Sequence, residues 1–82
     1  MGKVDPKSLA EKVLQDQRAL SELLEGVLSK NDQTRYACFQ ALQLVGDERP
    51  ELLYPSWDFF AKLLASDNAY HRNIAVYIIA AL

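Results

Sequence analysis

The sequence repeats itself without a gap at an offset of 37 residues, the difference between positions 29 and 66. Polar residues recur at this offset, and so do small and branched apolar residues. The matching pairs are Ser29 with Ser66, Asn31 with Asn68, Arg35 with Arg72, Val27 with Leu64, Cys38 with Ala75, Leu42 with Ile79 and Val45 with Leu82. Each copy predicts an apolar helix, a polar turn and a second helix with an arginine in its first turn. We therefore expect an all-α fold.

The residues before the first copy carry the signals of a helix that starts near position 6. Asp5 is a preferred N-cap residue, and Pro6 suits the first helical position because it has no N–H to leave unpaired. Apolar residues continue at helical spacing to about Ser29. Two interpretations remain open, namely one long helix or two helices separated at the polar stretch 15–18. The polar stretch favours a break.

Turn and cap residues predict where the later helices begin and end. Asp32 is a preferred N-cap residue for a helix over residues 33–45, and Gly46 suits a left-handed cap at its C-terminal end. We therefore expect the second helix of the first copy to span about three and a half turns.

The second copy contains two prolines that shape its first helix. Pro50 predicts the start of that helix, and Pro55 predicts a kink or a restart with Ser56 as the new cap, because proline removes a helical hydrogen bond. After the turn at 66–68, the last helix is predicted from about residue 69 to residue 82.

The two copies resemble the HEAT/armadillo-type α-helical repeat family. The matching stretches read ELLEGVLSKNDQTRYACFQALQLVG and PELLYPSWDFFAKLLASDNAYHRNIAVYIIAAL. The resemblance implies a short right-handed α-solenoid of antiparallel helix pairs, with about two repeats in a single domain. It divides the chain into an N-terminal capping helix or remnant (1–19), a first repeat (20–46) and a second, truncated repeat (47–82).

The resemblance also implies a structural role for the arginine of each copy. In the family such arginines pair with a polar turn residue of the same or the next repeat and form a ladder. The corresponding residues here are Asp32 with Arg35, and Asn68 with Arg72. The alternative is that these arginines are solvated, because exposed ion pairs contribute little to stability.

Uncharged polar and aromatic residues lie beside the apolar stripe of each arginine-bearing helix. The first row is Gln33, Tyr36, Gln40 and Gln43, and the second is Tyr70, Asn73, Tyr77 and Ala80. Interface cores are depleted of charge and enriched in tyrosine, and the resemblance places these helices on the concave side of a solenoid. We therefore expect a partner-binding face at Tyr36, Gln40, Gln43, Tyr70, Asn73 and Tyr77. The alternative is that the tyrosines only cover grooves between helices.

Composition and charge argue against several functional classes. The net charge is −2, from nine basic and eleven acidic residues, and no basic block is present, which argues against nucleic-acid binding. The single cysteine, Cys38, is expected to be a packed thiol, and His71 an exposed polar residue. We expect no catalytic, cofactor-binding or metal-binding residues. With no secretory signal and no long apolar run, the sequence predicts a cytoplasmic protein that does not enter a membrane.

The segment Ile74–Leu82 is apolar on every side of its predicted helix. A helix of this kind is normally buried, and the ends of solenoids usually carry a polar face. Two interpretations follow, namely an excised fragment of a longer array, which we favour, or a homodimer through the C-terminal helix.

These features predict a non-catalytic scaffold segment that binds a protein partner, whose identity the sequence does not reveal. Two other functions remain as alternatives. One is nucleic-acid binding, as in HEAT-like DNA glycosylases, and the other is an accessory domain of an enzyme. A binding affinity that is insensitive to salt would favour the protein scaffold, because phosphate binding weakens steeply with salt.

Overall fold

The computed structural model describes residues 5–82, apart from the side chain of Ala81, and this part of the chain contains helices and no strand. The all-α prediction is confirmed. The α-helices are α1 (Pro6–Gln15), α2 (Leu20–Gly26), α3 (Asp32–Glu48), α4 (Trp57–Leu64) and α5 (Ala69–Ala81). Short 3-10 helices span Gln17–Ala19, Pro50–Leu52 and Tyr54–Ser56. Positions 1–4 of the predicted N-terminal segment lie outside the described residues.

The predicted break between the first two helices is confirmed, and Asp16 forms it. Its backbone is extended, with φ −145° and ψ 106°, so α1 ends there. The backbone N–H of Arg18 donates to Asp16 Oδ1 at 3.1 Å and starts the following 3-10 turn. Arg18 also donates to this carboxylate through its side chain, and these hydrogen bonds lower the pKa of the Asp16 carboxyl group.

Two predicted boundaries of α3 are wrong. The N-cap residue is Asn31, whose Oδ1 accepts a hydrogen bond from the backbone N–H of Thr34 at 3.0 Å, and Asp32 is the first helical residue. Both residues are good caps, but only Asn31 has the extended backbone that a cap requires. Gly46 does not end the helix, which continues to Glu48, and no described glycine has a positive φ.

The start of the second copy is more irregular than a single helix from Pro50. Two 3-10 turns precede α4, and the restart at Ser56 is confirmed, although the Ser56 side chain makes no capping hydrogen bond. Each of these turns begins with a proline at its first or second position, where the missing N–H is tolerated. The last helix matches the prediction to within one residue at its end.

The core lies where α3 meets the other helices. Helices α1 and α2 both pack against α3, α4 packs against α5, and α3 packs against α5. The largest fully buried side chains are Phe60, Leu23, Leu42, Leu53, Ile78, Val13, Val27 and Val45. This packing fixes α3 and α5 side by side.

Gly26 at the end of α2 allows a close approach between α2 and α3. A Cβ atom at this position would lie 2.2 Å from Cys38 Sγ of α3, so no other residue fits without a shift. Cys38 is buried as expected, and this burial raises the pKa of its thiol. The thiol is therefore a packing group of the core.

Candidate binding groove between α3 and α5

The turns that precede α3 and α5 are held by the same hydrogen bonds, made by residues that correspond at the 37-residue offset, as Ser29 corresponds to Ser66. Ser29 Oγ accepts from the backbone N–H of Asn31 at 3.0 Å, and Ser66 Oγ accepts from that of Asn68 at 3.0 Å. Each serine therefore closes a tight turn onto the residue that caps the next helix.

The capping asparagines continue this correspondence. Asn31 Oδ1 accepts from the N–H of Thr34, and Asn68 Oδ1 accepts from the N–H groups of Tyr70 at 2.8 Å and His71 at 3.3 Å. His71 stands where Thr34 stands in the first copy. The repeat seen in the sequence is thus a repeat of local structure.

The arginines also make equivalent bonds. Arg35 Nη1 donates to the Ser29 carbonyl oxygen at 3.3 Å, and Arg72 Nη1 donates to the Ser66 carbonyl oxygen at 2.7 Å. Each arginine thereby ties its helix to the residue that begins the preceding turn.

The side-chain pairs expected for a ladder differ between the copies. Arg35 also pairs with the Asp32 carboxylate. Asn68 uses its side chain as a helix cap instead, and among the described residues no hydrogen bond joins this side chain to that of Arg72. The first copy therefore has the ion pair, and the second has only the bond to the turn carbonyl.

Arg35 joins the two helices across the groove. Its Cζ atom lies 4.4 Å above the centre of the Tyr70 ring of α5, and its side chain is only 13% exposed. A guanidinium over an aromatic face contributes about 0.5–2 kcal/mol, more when it is shielded from water. This contact holds the N-terminal ends of α3 and α5 together.

Between α3 and α5 lies a groove of about 330 Å³ with aromatic walls. The ring centroid of Phe39 lies 6.5 Å from that of Tyr36 and 5.9 Å from that of Tyr77, so the three rings form a row. The tyrosines are well exposed, at 60% for Tyr36, 62% for Tyr70 and 60% for Tyr77. The groove is lined by Asp32, Arg35, Tyr36, Phe39, Tyr70, Asn73, Ile74 and Tyr77.

The structure brings together four of the six residues predicted for the partner-binding face, namely Tyr36, Tyr70, Asn73 and Tyr77. The other two, Gln40 and Gln43, border a separate depression beside the first turn of α1.

Four groove residues were not part of the predicted face, namely Asp32, Arg35, Phe39 and Ile74. Phe39 follows Tyr36 by three residues, and this helical spacing is the signal in the sequence that could have indicated it. Arg35 was predicted as a ladder residue, and its stacking on Tyr70 depends on a contact between helices that the sequence does not display.

The chemistry of the groove suits binding. Its two charged side chains, Arg35 and Asp32, neutralise each other, and the remaining lining offers rings, phenolic hydroxyls and one amide. His71 lies outside this lining, with Nδ1 3.4 Å from Ser66 Oγ. Within residues 5–82, no three side chains of the metal-binding types lie together. Such a surface can bury an apolar segment and bond its backbone.

Comparisons with known proteins add no relative from which a function could be transferred. The chain matches no protein-family model, no curated protein and no solved structure. Among the described residues, no helix has the length and apolar character needed to cross a membrane. The groove is therefore interpreted from its own residues.

Proposed function

We propose that this chain is a protein-binding segment of the HEAT/armadillo-like type, without catalytic activity of its own, and that its partner occupies the groove between α3 and α5. The observation that carries this proposal is the cluster of three exposed tyrosines and Phe39 in one electrically balanced groove. Exposed aromatic residues gathered in a concave surface are typical of interaction sites.

The proposed α-solenoid architecture has support from the repeat of the turns. The pairs α2–α3 and α4–α5 share the serine, asparagine and arginine bonds at one sequence offset, and α3 packs beside α5. In repeat proteins the same unit recurs and contacts its neighbours in this way. Under this proposal α3 and α5 are the helices that line the concave side, and the pairs stack with a right-handed turn.

The side chains of the groove suit a small number of strong contacts. Tyrosine and arginine are enriched among the residues whose truncation weakens protein interfaces by at least about 2 kcal/mol. Tyr36 and Tyr77 stand at the two ends of the aromatic row, with most of their surface available to a partner. We expect these two residues to contribute most to binding.

Nucleic acid fits this groove less well than a protein does. Phosphate binding needs several unpaired cations, whereas Arg35 is the one cation of the lining and already has Asp32 as its partner. The net charge of −2 disfavours nucleic acid further. An enzyme-accessory role has no specific observation in its favour.

The direct test is affinity capture from native lysate with the purified chain, with and without nuclease, followed by mass spectrometry. We expect a protein that is retained after nuclease treatment and lost with the double variant Tyr36→Ala/Tyr77→Ala. The matched control is Tyr54→Ala, which removes an exposed tyrosine outside the groove. Circular dichroism verifies that all variants fold.

Two outcomes would contradict the proposal. Capture that disappears with nuclease would make nucleic acid the ligand. A protein that binds the double variant and the wild type equally would place the binding site outside the groove.

A further inference from the structure

The side of the α4–α5 pair that faces away from α3 carries a second apolar surface, distinct from the groove. We name it the outer face and define it as Trp57, Ala61, Leu64, Val76 and Ile79. The three α4 residues recur at i, i+4 and i+7, so they lie along one side of that helix. Trp57, Leu64 and Val76 are exposed, Val76 to 52%.

The counterparts of the outer face in the first helix pair are covered. At the same offset they are Leu20, Leu24, Val27, Phe39 and Leu42, and all of them are buried or partly buried. Phe39, the counterpart of Val76, contacts Tyr77 of α5. At Phe39, therefore, the second pair covers a face of the first pair whose equivalent it leaves open on itself.

The arginines show the same difference. The guanidinium of Arg35 stacks on the ring of Tyr70, which belongs to the neighbouring pair. Arg72 occupies the equivalent place at the edge of the outer face and is exposed, with no aromatic ring over it among the described residues. The outer face thus has the layout of a surface that receives another helix pair.

We propose that the outer face binds the outer face of a second copy of this chain, with the two α4 helices antiparallel across a twofold axis. In such an isologous contact each residue meets a residue whose numbering runs the opposite way. Trp57 then lies against Leu64 of the partner subunit, and Ala61 lies near the axis, where a small residue allows the helices to approach closely.

The charges beside this stripe complement each other in the antiparallel arrangement. Asp58 and Lys62 are exposed along one edge of the α4 stripe, and neither forms an ion pair within residues 5–82. A twofold axis near Phe60 places Asp58 beside Lys62 of the partner subunit, and the reverse pair forms on the other side. Complementary charges of this kind set the orientation of an interface.

The first test is the mass of the whole chain in solution, measured by sedimentation velocity from low to high micromolar concentration. We expect a reversible monomer–dimer equilibrium, because the contact is small and apolar. Val76→Glu places a charge in the outer face, one helical turn after Arg72, and should abolish the dimer. Trp57→Ser should do the same, by the loss of its ring. The control Leu44→Lys places a charge, near Glu48, on an exposed position of α3 away from the face and should leave the dimer intact.

The second test uses a charge exchange that only the antiparallel dimer tolerates. Asp58→Lys should weaken association by about tenfold, because it opposes two lysines. The double variant Asp58→Lys/Lys62→Asp should restore it. A wild-type chain that stays monomeric at all concentrations would overturn the proposal, and so would a dimer that survives both Val76→Glu and Trp57→Ser. Failure of the double exchange to restore association would overturn the antiparallel arrangement. None of these results depends on the groove.

Discussion

The two helix pairs of this protein have the same turn but different surroundings. The α2–α3 pair lies between α1 on one side and the α4–α5 pair on the other, whereas the α4–α5 pair packs against the first pair mainly through α3. Val27 is fully buried, and its counterpart Leu64 is 42% exposed. Local sequence determines the turn and its capping bonds, and neighbouring helices determine which apolar side chains leave the solvent. The surfaces left open on the second pair are where the molecule has room for partners.

The largest difference between the pairs should appear in matched core truncations. Leu42→Ala removes a fully buried side chain and should lower the free energy of unfolding by about 3 kcal/mol, because the site cannot collapse fully. Ile79→Ala, at the equivalent but half-open position, should lower it by about 1 kcal/mol. Urea unfolding followed by circular dichroism measures both. Equal losses would mean that the second pair is covered as well as the first.

The two described helix glycines should respond in opposite directions. Gly26→Ala places a Cβ against Cys38 Sγ and should destabilise the fold by about 2 kcal/mol. Gly46→Ala meets Leu53 Cδ1 at 3.4 Å, an ordinary contact, and should stabilise it by about 0.5 kcal/mol through helix propensity.

Cys38→Ala provides the control for the first of these glycine substitutions. It removes the sulfur that the new Cβ would meet, so the loss from Gly26→Ala should be smaller in its background, as a double-mutant cycle would show. If Gly26→Ala is neutral in the unaltered chain, α2 does not approach α3 as closely as described.

The capping asparagines should contribute equally, since the turns are equivalent. Asn31→Ala and Asn68→Ala should each lower the free energy of unfolding by about 1 kcal/mol, the usual contribution of an N-cap. Asn73→Ala, within α5, is the control and should cause no loss, because alanine favours a helix interior. A loss at one turn and none at the other would break the equivalence of the two copies.

Arg35 and Arg72 should differ modestly in their contribution to stability, because only Arg35 contacts a residue of the neighbouring helix pair. Arg35→Met should lower the free energy of unfolding by about 1 kcal/mol, through its contacts with Tyr70 and the turn carbonyl. Arg72→Met should lower it by about 0.3 kcal/mol, since its guanidinium is exposed. Thermal unfolding of the two variants gives the comparison, and a larger loss for Arg72 would contradict it.

The smallest effect concerns the acid side of the pH–stability curve. An exposed carboxylate paired with arginine precedes each helix pair, Asp16 with Arg18 and Glu51 with Arg49, and hydrogen bonds from these arginines lower both carboxyl pKa values. A carboxyl group whose pKa is lower in the folded state than in the unfolded state stabilises the fold at pH values above its unfolded-state pKa. This stabilisation is lost as the pH falls through its folded-state pKa.

In Asp16→Asn and in Glu51→Gln, the free energy of unfolding should therefore fall slightly less between neutral and acidic pH than in the unaltered chain. The two variants should differ from it by similar amounts. Urea midpoints measured between neutral and acidic pH test this. A steeper decline in either variant would contradict the assigned direction of the pKa shift.

Much of the fold follows from short-range signals in the sequence. Asp5, Pro6 and Ser56 mark helix starts through their own backbone preferences, and the break near Asp16 follows from a polar stretch. At Gly46 the prediction failed because a glycine also fits inside a helix, and this one is buried in α3 close to Leu53 of a later segment. The sequence prediction placed the cap of α3 at Asp32, and the structure places it one residue earlier, at Asn31, which is also a preferred capping residue.

The candidate site was predicted in part for the same reason. Tyr36 and Tyr77 follow from helical spacing within each copy. Their union with Phe39 in one groove depends on how α3 lies beside α5. Gln40 was assigned to the same face, but the structure places it beside Pro6 of α1, a helix that matches neither copy and whose position the repeat could not reveal.

The most direct test of the difference in surroundings is amide hydrogen exchange, followed by mass spectrometry at a low micromolar concentration at which sedimentation velocity finds the monomer. The amides of Phe39 and Val76 occupy equivalent positions inside α3 and α5. We expect the Phe39 amide to exchange about 100-fold more slowly, because opening α3 disrupts contacts on both of its sides, while the cap-bonded amides of Thr34 and His71 exchange at similar rates. Equal protection of Phe39 and Val76, or greater protection of Val76, would contradict the account.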